Sequence, residues 1–453
     1  MTKVHVPFKP VSEKAFKQQI QVDLKGADYN ETLVTQHRSG IDIKPFYHLD
    51  STTQLPIDSI PERWQAAQHI YAGEAEKANE KALDAVQRGA ETIIFEIDQP
   101  SIDYKKLLEG FSKETAVQVQ MRFMDSAFAK AIITHAKESE IALYLFIDPI
   151  AHLATTGNWF SSQKEDFLSH QEILNQVDGR ACNLTVDTRT YQEAGAHEAQ
   201  ELAYMLATLS DYLNYTPAER LKNKRLNWLT SIGQDYFMEI AKLRAARILV
   251  NTVTAMFEVN LPIWITAFTS LRYFTLSDYN NNMLRSTTAC MSAAIGGANT
   301  ICNRAYDHFF NKENEFGTRI ARNQMLLLKE ESYFENAASY ARGSYYIESL
   351  TQQLAQRALD IFKTIDAAGG MTKQLKEGVI QRKIKESHTA ELEKYNEGTK
   401  VLVGSNKYEA AALQPNKPTE LYPFLKNNPR KTLIEPVLPV RLSTSRELRD
   451  NQI

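Results

Sequence analysis

Cysteine is scarce: Cys182, Cys290 and Cys302 are the only three in 453 residues. An odd number, widely spaced in apolar or small-residue surroundings, suits neither a disulfide framework nor a zinc ligand set, so buried reduced thiols are expected. Long apolar runs are missing too. The opening Met-Thr-Lys-Val-His-Val-Pro is too polar for a secretory signal and no later run spans a bilayer, so no membrane association is expected and the cytoplasm is the expected compartment. Neither sign of charge dominates. Lys and Arg number 52 against 55 Asp and Glu, a net charge of -3, and without a basic field nucleic acid is not an expected partner. There is no Walker phosphate loop and no Gly-x-Ser-x-Gly elbow, and Gly296-Gly297 follows a helix instead of opening one, so the simplest nucleotide and hydrolase chemistries are excluded.

What the chain does have is an ordinary globular composition, 43% hydrophobic and 24% charged, and a repeated alternation of short apolar runs with amphipathic stretches. Residues 1–60 are proline-punctuated and read as an extended arm. From Gln68 the alternation begins. Glu74 to Arg88 places Ala75, Ala78, Ala82, Leu83 and Val86 on one helical stripe ahead of the strand Thr92-Ile93-Ile94-Phe95. Strand-like runs follow at Val117–Phe123, Ile141–Ile147, Leu184-Thr185-Val186, Pro262–Ile265 and Thr300-Ile301-Cys302, with a helix over Ser277–Ala294 between the last two. The pattern predicts an α/β fold. A doubly wound open sheet shares this grammar, and the missing dinucleotide loop favours a TIM-type (β/α)8 barrel. The predicted organisation is an arm (1–60), a barrel (61–345), a C-terminal helical segment (346–408) broken at Gly369-Gly370-Met371, and an extended tail (409–453). Apolar residues of that tail, such as Tyr422, Phe424, Leu433 and Val437, must pack on the barrel or on a partner.

Barrel active sites lie at the carboxyl ends of the strands, which points to Asp148, Asp187 and Thr269-Ser270. A lone carboxylate there is more often a helix cap or an ion-pair member than a general base. His135, His197 and His308 each lack a second ligand at helical or strand spacing, so no metal site is expected. Asp307-His308 reads as part of a polar surface loop running to Glu315. Arg319, Arg322 and Asn323 share one helical face, either solvated or paired with carboxylates of a neighbouring element or subunit.

Specific strings go further than periodicity. Gln192-Glu193-Ala194-Gly195-Ala196, Phe237-Met238-Glu239-Ile240-Ala241-Lys242-Leu243-Arg244, Tyr279-Asn280-Asn281-Asn282-Met283-Leu284-Arg285, Phe316-Gly317-Thr318-Arg319-Ile320-Ala321-Arg322-Asn323, Gly369-Gly370-Met371 and Val403-Gly404-Ser405-Asn406-Lys407-Tyr408 occur in this order. Together they resemble the acyl-CoA mutase family, and within it the small, beta-type subunits of two-subunit methylmalonyl-CoA mutases. The resemblance implies an eight-stranded acyl-CoA barrel followed, in catalytic members, by a flavodoxin-like domain whose Asp-x-His-x-x-Gly histidine binds the cobalt of adenosylcobalamin. This chain lacks that motif, and residues 409–453 fall short of the roughly 100–150 residues of such a domain. Where catalytic members carry a Tyr-His-Met triplet facing the substrate, this chain has Arg189-Thr190-Tyr191. A second, histidine-bearing CoA segment reads Thr266-Ala267-Phe268-Thr269-Ser270-Leu271-Arg272.

The resemblance therefore implies a non-catalytic small subunit with no catalytic, cofactor-binding or metal residues of its own. Its partner would be a large subunit in a heterodimer that holds adenosylcobalamin, binds the acyl-CoA and interconverts methylmalonyl-CoA and succinyl-CoA. The alternatives are a free-standing acyl-CoA-binding accessory barrel and an independent enzyme using Asp148, Asp187 or Glu193.

Overall fold

Eight short strands carry the core: β1 (Gln65–Tyr71), β2 (Thr92–Ile97), β3 (Ala116–Met121), β4 (Ala142–Phe146), β5 (Leu184–Asp187), β6 (Leu226–Ile232), β7 (Ile263–Thr269) and β8 (Thr300–Cys302). They pair in parallel in the order β4-β3-β2-β1-β8-β7-β6-β5. With helices outside, this is the TIM-type α/β barrel the alternation predicts. The computed structural model describes residues 9–57, 60–175, 183–409, 419–425 and 430–450. Cys182, Pro7, Pro415, Pro418 and Pro429 lie outside the described residues. Among the described residues no ladder joins β4 to β5, so the barrel is nearly closed. At the carboxyl end of that seam the Asp187 N–H donates to Asp148 Oδ2 at 2.7 Å.

The strands explain which segments were legible. Outward positions such as Ile93, Phe95, Val117, Val119, Leu143, Leu145, Trp228 and Ile265 belong to the main apolar cluster under the helices. Inward positions alternate with them and are mixed. Ala67, Ile94, Phe146, Leu229, Phe268 and Cys302 form an apolar layer across the axis, while Gln118, Gln120, Thr185, Asn227, Ser231 and Thr266 share the inward parity and are buried. Ordinary barrels fill this space with branched aliphatics. The polar inward set interrupts β1 and β6, and neither is recognisable as a continuous apolar run.

The outer layer includes α1 (Ala75–Gln87), α2 (Ser126–Glu138), α3 (Gln163–Asn175), α4 (Glu198–Tyr215), α5 (Tyr236–Met256), α6 (Asn281–Gly296) and α7 (Glu315–Leu326). The C-terminal helices α8 (Tyr345–Ala367) and α9 (Val379–Asn396) flank a short helix at Gly370–Lys376, with the break at Gly369-Gly370. Because α8 packs across α4 and α5, these two helices are buried on nearly every face and carry charges at buried positions. A Cβ at Gly195 would stand 2.7 Å from the His388 Cβ of α9, so only glycine permits this close approach. Among the described residues no helix is long and apolar enough to cross a membrane.

The arm is more structured than its prolines suggest. Ser12 caps a helix at Glu13–Asp23 by accepting the Ala15 N–H at 3.2 Å, and Thr35–Gln36 pairs antiparallel with Asp42–Ile43. His37, Arg38 and Ser39 then bind the molecule's own barrel, through Asp235, Glu198 and Glu391. The tail also returns to the barrel. Backbone N–H groups of Leu433, Ile434, Val437, Val440 and Leu442 donate to carbonyls of Gly157, Ala154, Glu193 and Arg272. Those acceptors follow β4, β5 and β7, so the tail crosses the carboxyl face of the barrel.

Candidate functional site

At the carboxyl ends of the strands a cavity of about 310 Å³ is lined by Gln120, Arg122, Phe146, Asp148, His152, Thr155, Asp187 and Arg189, among others. Asp148 and Asp187 do meet here. Asp148 caps the helix Pro149–Thr156 by accepting the Ala151 N–H at 2.8 Å, and it also accepts Tyr212 Oη–H and the Asp187 N–H. Burial pushes its carboxyl up to about 7, against those hydrogen bonds. With three donors already on it, Asp148 acts as the clasp of the β4–β5 seam. Asp187 is pushed up by burial too, but Arg189 overrides this and holds it low through a two-pronged pair of 2.9 and 2.6 Å.

The other groups at the mouth are also committed. Arg189 donates to Gln120 Oε1 at 3.1 Å and lies 4.4 Å over the Phe268 ring. Glu193 accepts Ser231 Oγ–H at 3.0 Å and pairs with Arg304. Thr269 and Ser270 are bound to the Arg304 N–H and to Gln192. Glu96 is held well below the usual carboxylate range by His69 and Arg122, which outweigh its burial. Thr190 is half-buried and its hydroxyl shares a 3.1 Å hydrogen bond with Thr155. Both are neutral hydroxyls, and His152, whose imidazole burial pulls down to about 4, lines the same cavity as Thr155. The sequence reading missed His69, Glu96, Arg122 and Arg304, which follow from β1 and from the register of β2, β3 and β8. The only signal available for them was their place at strand ends.

Below the mouth the axis is closed twice. The Phe146, Leu229 and Phe268 layer crosses it, and toward the amino end Arg225 lies between the rings of Tyr144 and Trp264 at 4.5 and 4.1 Å. Between and around these layers Gln118 Oε1, Gln120 Nε2, Thr185 Oγ1, Asn227 Nδ2 and Thr266 Oγ1 are buried without a hydrogen-bond partner among the described residues.

His135 and His197 do not join the site. His135 sits in α2 against Tyr104, and His197 caps α4 by accepting the Gln200 N–H. Asp307 is a correction to the surface-loop reading. It is buried and accepts Asn311 and Asn314 side-chain amides at 3.1 and 2.8 Å, tying down the start of α7, while His308, though exposed by area, lies beside the mouth, where desolvation and the charges of Arg304 and His69 pull its imidazole down to about 3. The α7 face divides: Arg319 and Asn323 are exposed and Arg322 is buried. Cys290 and Cys302 are buried and unpaired, and burial pushes the Cys302 thiol up to about 11. Among the described residues no three His, Cys, Asp or Glu side chains gather as a metal cage.

A family model described as methylmalonyl-CoA mutase matches residues 129–451. The chain belongs to the methylmalonyl-CoA mutase family. It is 30% identical over 447 residues to a methylmalonyl-CoA mutase small subunit of Porphyromonas gingivalis, covering 90% of this chain and 71% of that protein. A small subunit of Streptomyces virginiae is 29% identical, covering 80% of this chain and 63% of the relative. A methylmalonyl-CoA mutase of Cereibacter sphaeroides is 37% identical over 232 residues, which are 49% of this chain and 33% of that protein. The chain thus spans between a third and about seven-tenths of these relatives.

One consequence of the packing behind the mouth is a pH dependence. His170 of α3 is buried against Tyr212, the residue that holds Asp148, with ring centroids 5.0 Å apart. Burial pulls its imidazole down to about 4. Its unfolded pKa is near 6.5, so the stability it contributes is present above pH 6.5 and is lost as pH falls toward 4. Asp148 and Glu239, both pushed up to about 7 by burial, work the other way in the overlapping window, so the net profile is a difference. Replacing His170 with Phe isolates the first effect. Denaturant titrations are expected to show the variant losing about 2–3 kcal/mol less than the parent between pH 7 and 4.5, and equal losses would rule the histidine out.

Proposed function

We propose that this chain is a non-catalytic, cytoplasmic small subunit of a methylmalonyl-CoA mutase, supporting a large partner that holds adenosylcobalamin and interconverts methylmalonyl-CoA and succinyl-CoA. The observation that carries this reading is the barrel mouth, where Thr190 stands in the position for which the resemblance implies an imidazole and shares a hydrogen bond with Thr155, while Asp148, Asp187 and Glu193 are each bound to a cation or a helix start. A hydroxyl does not titrate near neutral pH and cannot serve as the ionisable donor an imidazole provides. The mouth does not fit adenosylcobalamin either. Tail residues 433–442 cross the carboxyl face, His69 is bound to Glu96, and His152 is stacked on Phe160 at 3.6 Å. The radical chemistry that this cofactor supplies is therefore assigned to the partner, and no step is assigned to these residues.

The test is expression alone and together with a large mutase subunit. Co-purification as a one-to-one complex is expected, with cobalamin and turnover present only in the complex. A lone chain that binds cobalamin or isomerises methylmalonyl-CoA would overturn the reading.

The orphaned polar groups along the axis favour a second reading, a barrel that takes an acyl-CoA by itself. That reading expects saturable binding of a CoA ester by the isolated chain. Replacing Arg225 with Ala would strengthen the binding, because the Tyr144–Arg225–Trp264 stack closes the amino end.

A further inference from the structure

We propose that the groove between α1 and α7, on the outer layer and away from the mouth, is an oxyanion site anchored by Arg322. The groove encloses about 180 Å³ and is lined by Gln68, Lys81, Asp84, Arg88, Arg319 and Arg322. Arg322 is only 5% exposed, yet among the described residues its Nε–H has no partner and its guanidinium makes one hydrogen bond, a long 3.4 Å contact from Nη1 to Gln68 Oε1. A buried guanidinium left in this state is costly, and a carboxylate or phosphate on its open edge would satisfy two donors at once.

The acids nearby are engaged elsewhere. Asp84 accepts Arg88 Nε–H at 2.8 Å and attracts Arg322 only at longer range, Glu313 accepts Lys81 Nζ at 2.9 Å, and Glu315 lies on the lining where its charge acts on Arg88. The lining thus carries four cations, Lys81, Arg88, Arg319 and Arg322, against three acids, and among the described residues no acid hydrogen-bonds Arg322. Its size admits a single small anionic group, and the guanidinium fork suits either a planar carboxylate or a tetrahedral phosphate.

Titration calorimetry of the whole chain at constant ionic strength, with inorganic phosphate and with acetate as separate probes, tests this. Saturable binding of at least one probe is expected, with a dissociation constant on the order of 1 mM. Arg322→Gln should weaken it by at least about tenfold, Arg322→Lys, which keeps the charge but not the fork, by about fivefold, and Arg319→Gln by less than about twofold. The better-bound probe identifies the class of anion. No saturable binding by the parent chain, or equal binding by Arg322→Lys and the parent, overturns the proposal.

Discussion

Replacing Lys242 with Met is expected to destabilise the chain by about 3–5 kcal/mol in denaturant unfolding. Lys242 of α5 is fully buried, and its Nζ reaches Glu201 Oε2 and Glu239 Oε2, each at 2.7 Å, and the Ser231 carbonyl at 2.8 Å. Glu201 in turn accepts the hydroxyls of Thr188 and Thr230 at 2.8 and 2.6 Å, and Glu239 accepts the Gly233 N–H at 2.7 Å. The cluster thus ties β6 and the start of the β5 loop to α4 and α5. Removing the ammonium leaves two carboxylates facing each other without solvent. Burial already pushes Glu239 up to about 7 despite Lys242. A carboxylate raised in the folded state contributes most below its unfolded pKa and less as pH rises through the folded value. The deficit of the Met variant should therefore grow from pH 6 to pH 8. Adding Glu201→Gln and Glu239→Gln should recover part of the loss, because the uncompensated charges are then gone. A deficit under about 1 kcal/mol, or one independent of pH, would show that the cluster is not a cooperative unit.

Replacing Glu391 with Leu is the second large effect, also about 3–5 kcal/mol, with a local readout. Glu391 of α9 binds Arg272 through Nη2 at 2.7 Å and Nε at 3.0 Å, Arg38 at 2.9 Å and Tyr273 Oη–H at 3.1 Å. These partners come from the arm, the loop after β7 and the C-terminal helices. Arg272 further donates to the Val440 carbonyl at 3.0 Å, so the same carboxylate steadies the tail. The two arginines, together with Lys400, hold Glu391 down to about 2 despite its burial. Without it Arg272 has no carboxylate partner among the described residues, and Arg38 keeps Glu198. Trypsin is expected to cut after Arg38 and after Arg441 several-fold faster in the Leu variant, while cleavage within α1 is unchanged. Uniform acceleration at all sites would indicate global unfolding, and no acceleration would mean that arm and tail are held by other contacts.

The fold was largely legible, and the exceptions share one cause. β2, β3, β4, β5, β7 and β8 all contain runs that stand out as apolar or alternating. β1 and β6 do not, because Gln65, His69, Asn227 and Ser231 point toward a partly polar axis that one-dimensional patterning does not anticipate. The arm helix was hidden for a different reason. Its stability signal is the Ser12 cap and not an apolar stripe, and it buries no residue. At the mouth, Asp148 and Asp187 were readable as strand-end carboxylates, and the preference for a cap or ion-pair role describes both of them. His69, Glu96, Arg122 and Arg304 could not be read, since their meeting depends on the register of neighbouring strands.

By itself the sequence determined the alternation of strand and helix and the string matches that place the chain in its family, and it puts Thr190 where the resemblance implies an imidazole. Those are properties of residue type and order. Only the tertiary structure decided which charge meets which. Arg272 finds Glu391 across 119 residues, Arg38 finds Glu198 across 160, and Lys242 finds Glu201 across 41. Local propensity carries no information over such separations. Buried charges acquire partners because leaving them unpaired costs several kcal/mol, and which partner is within 3 Å is settled only when the barrel and its C-terminal helices have packed.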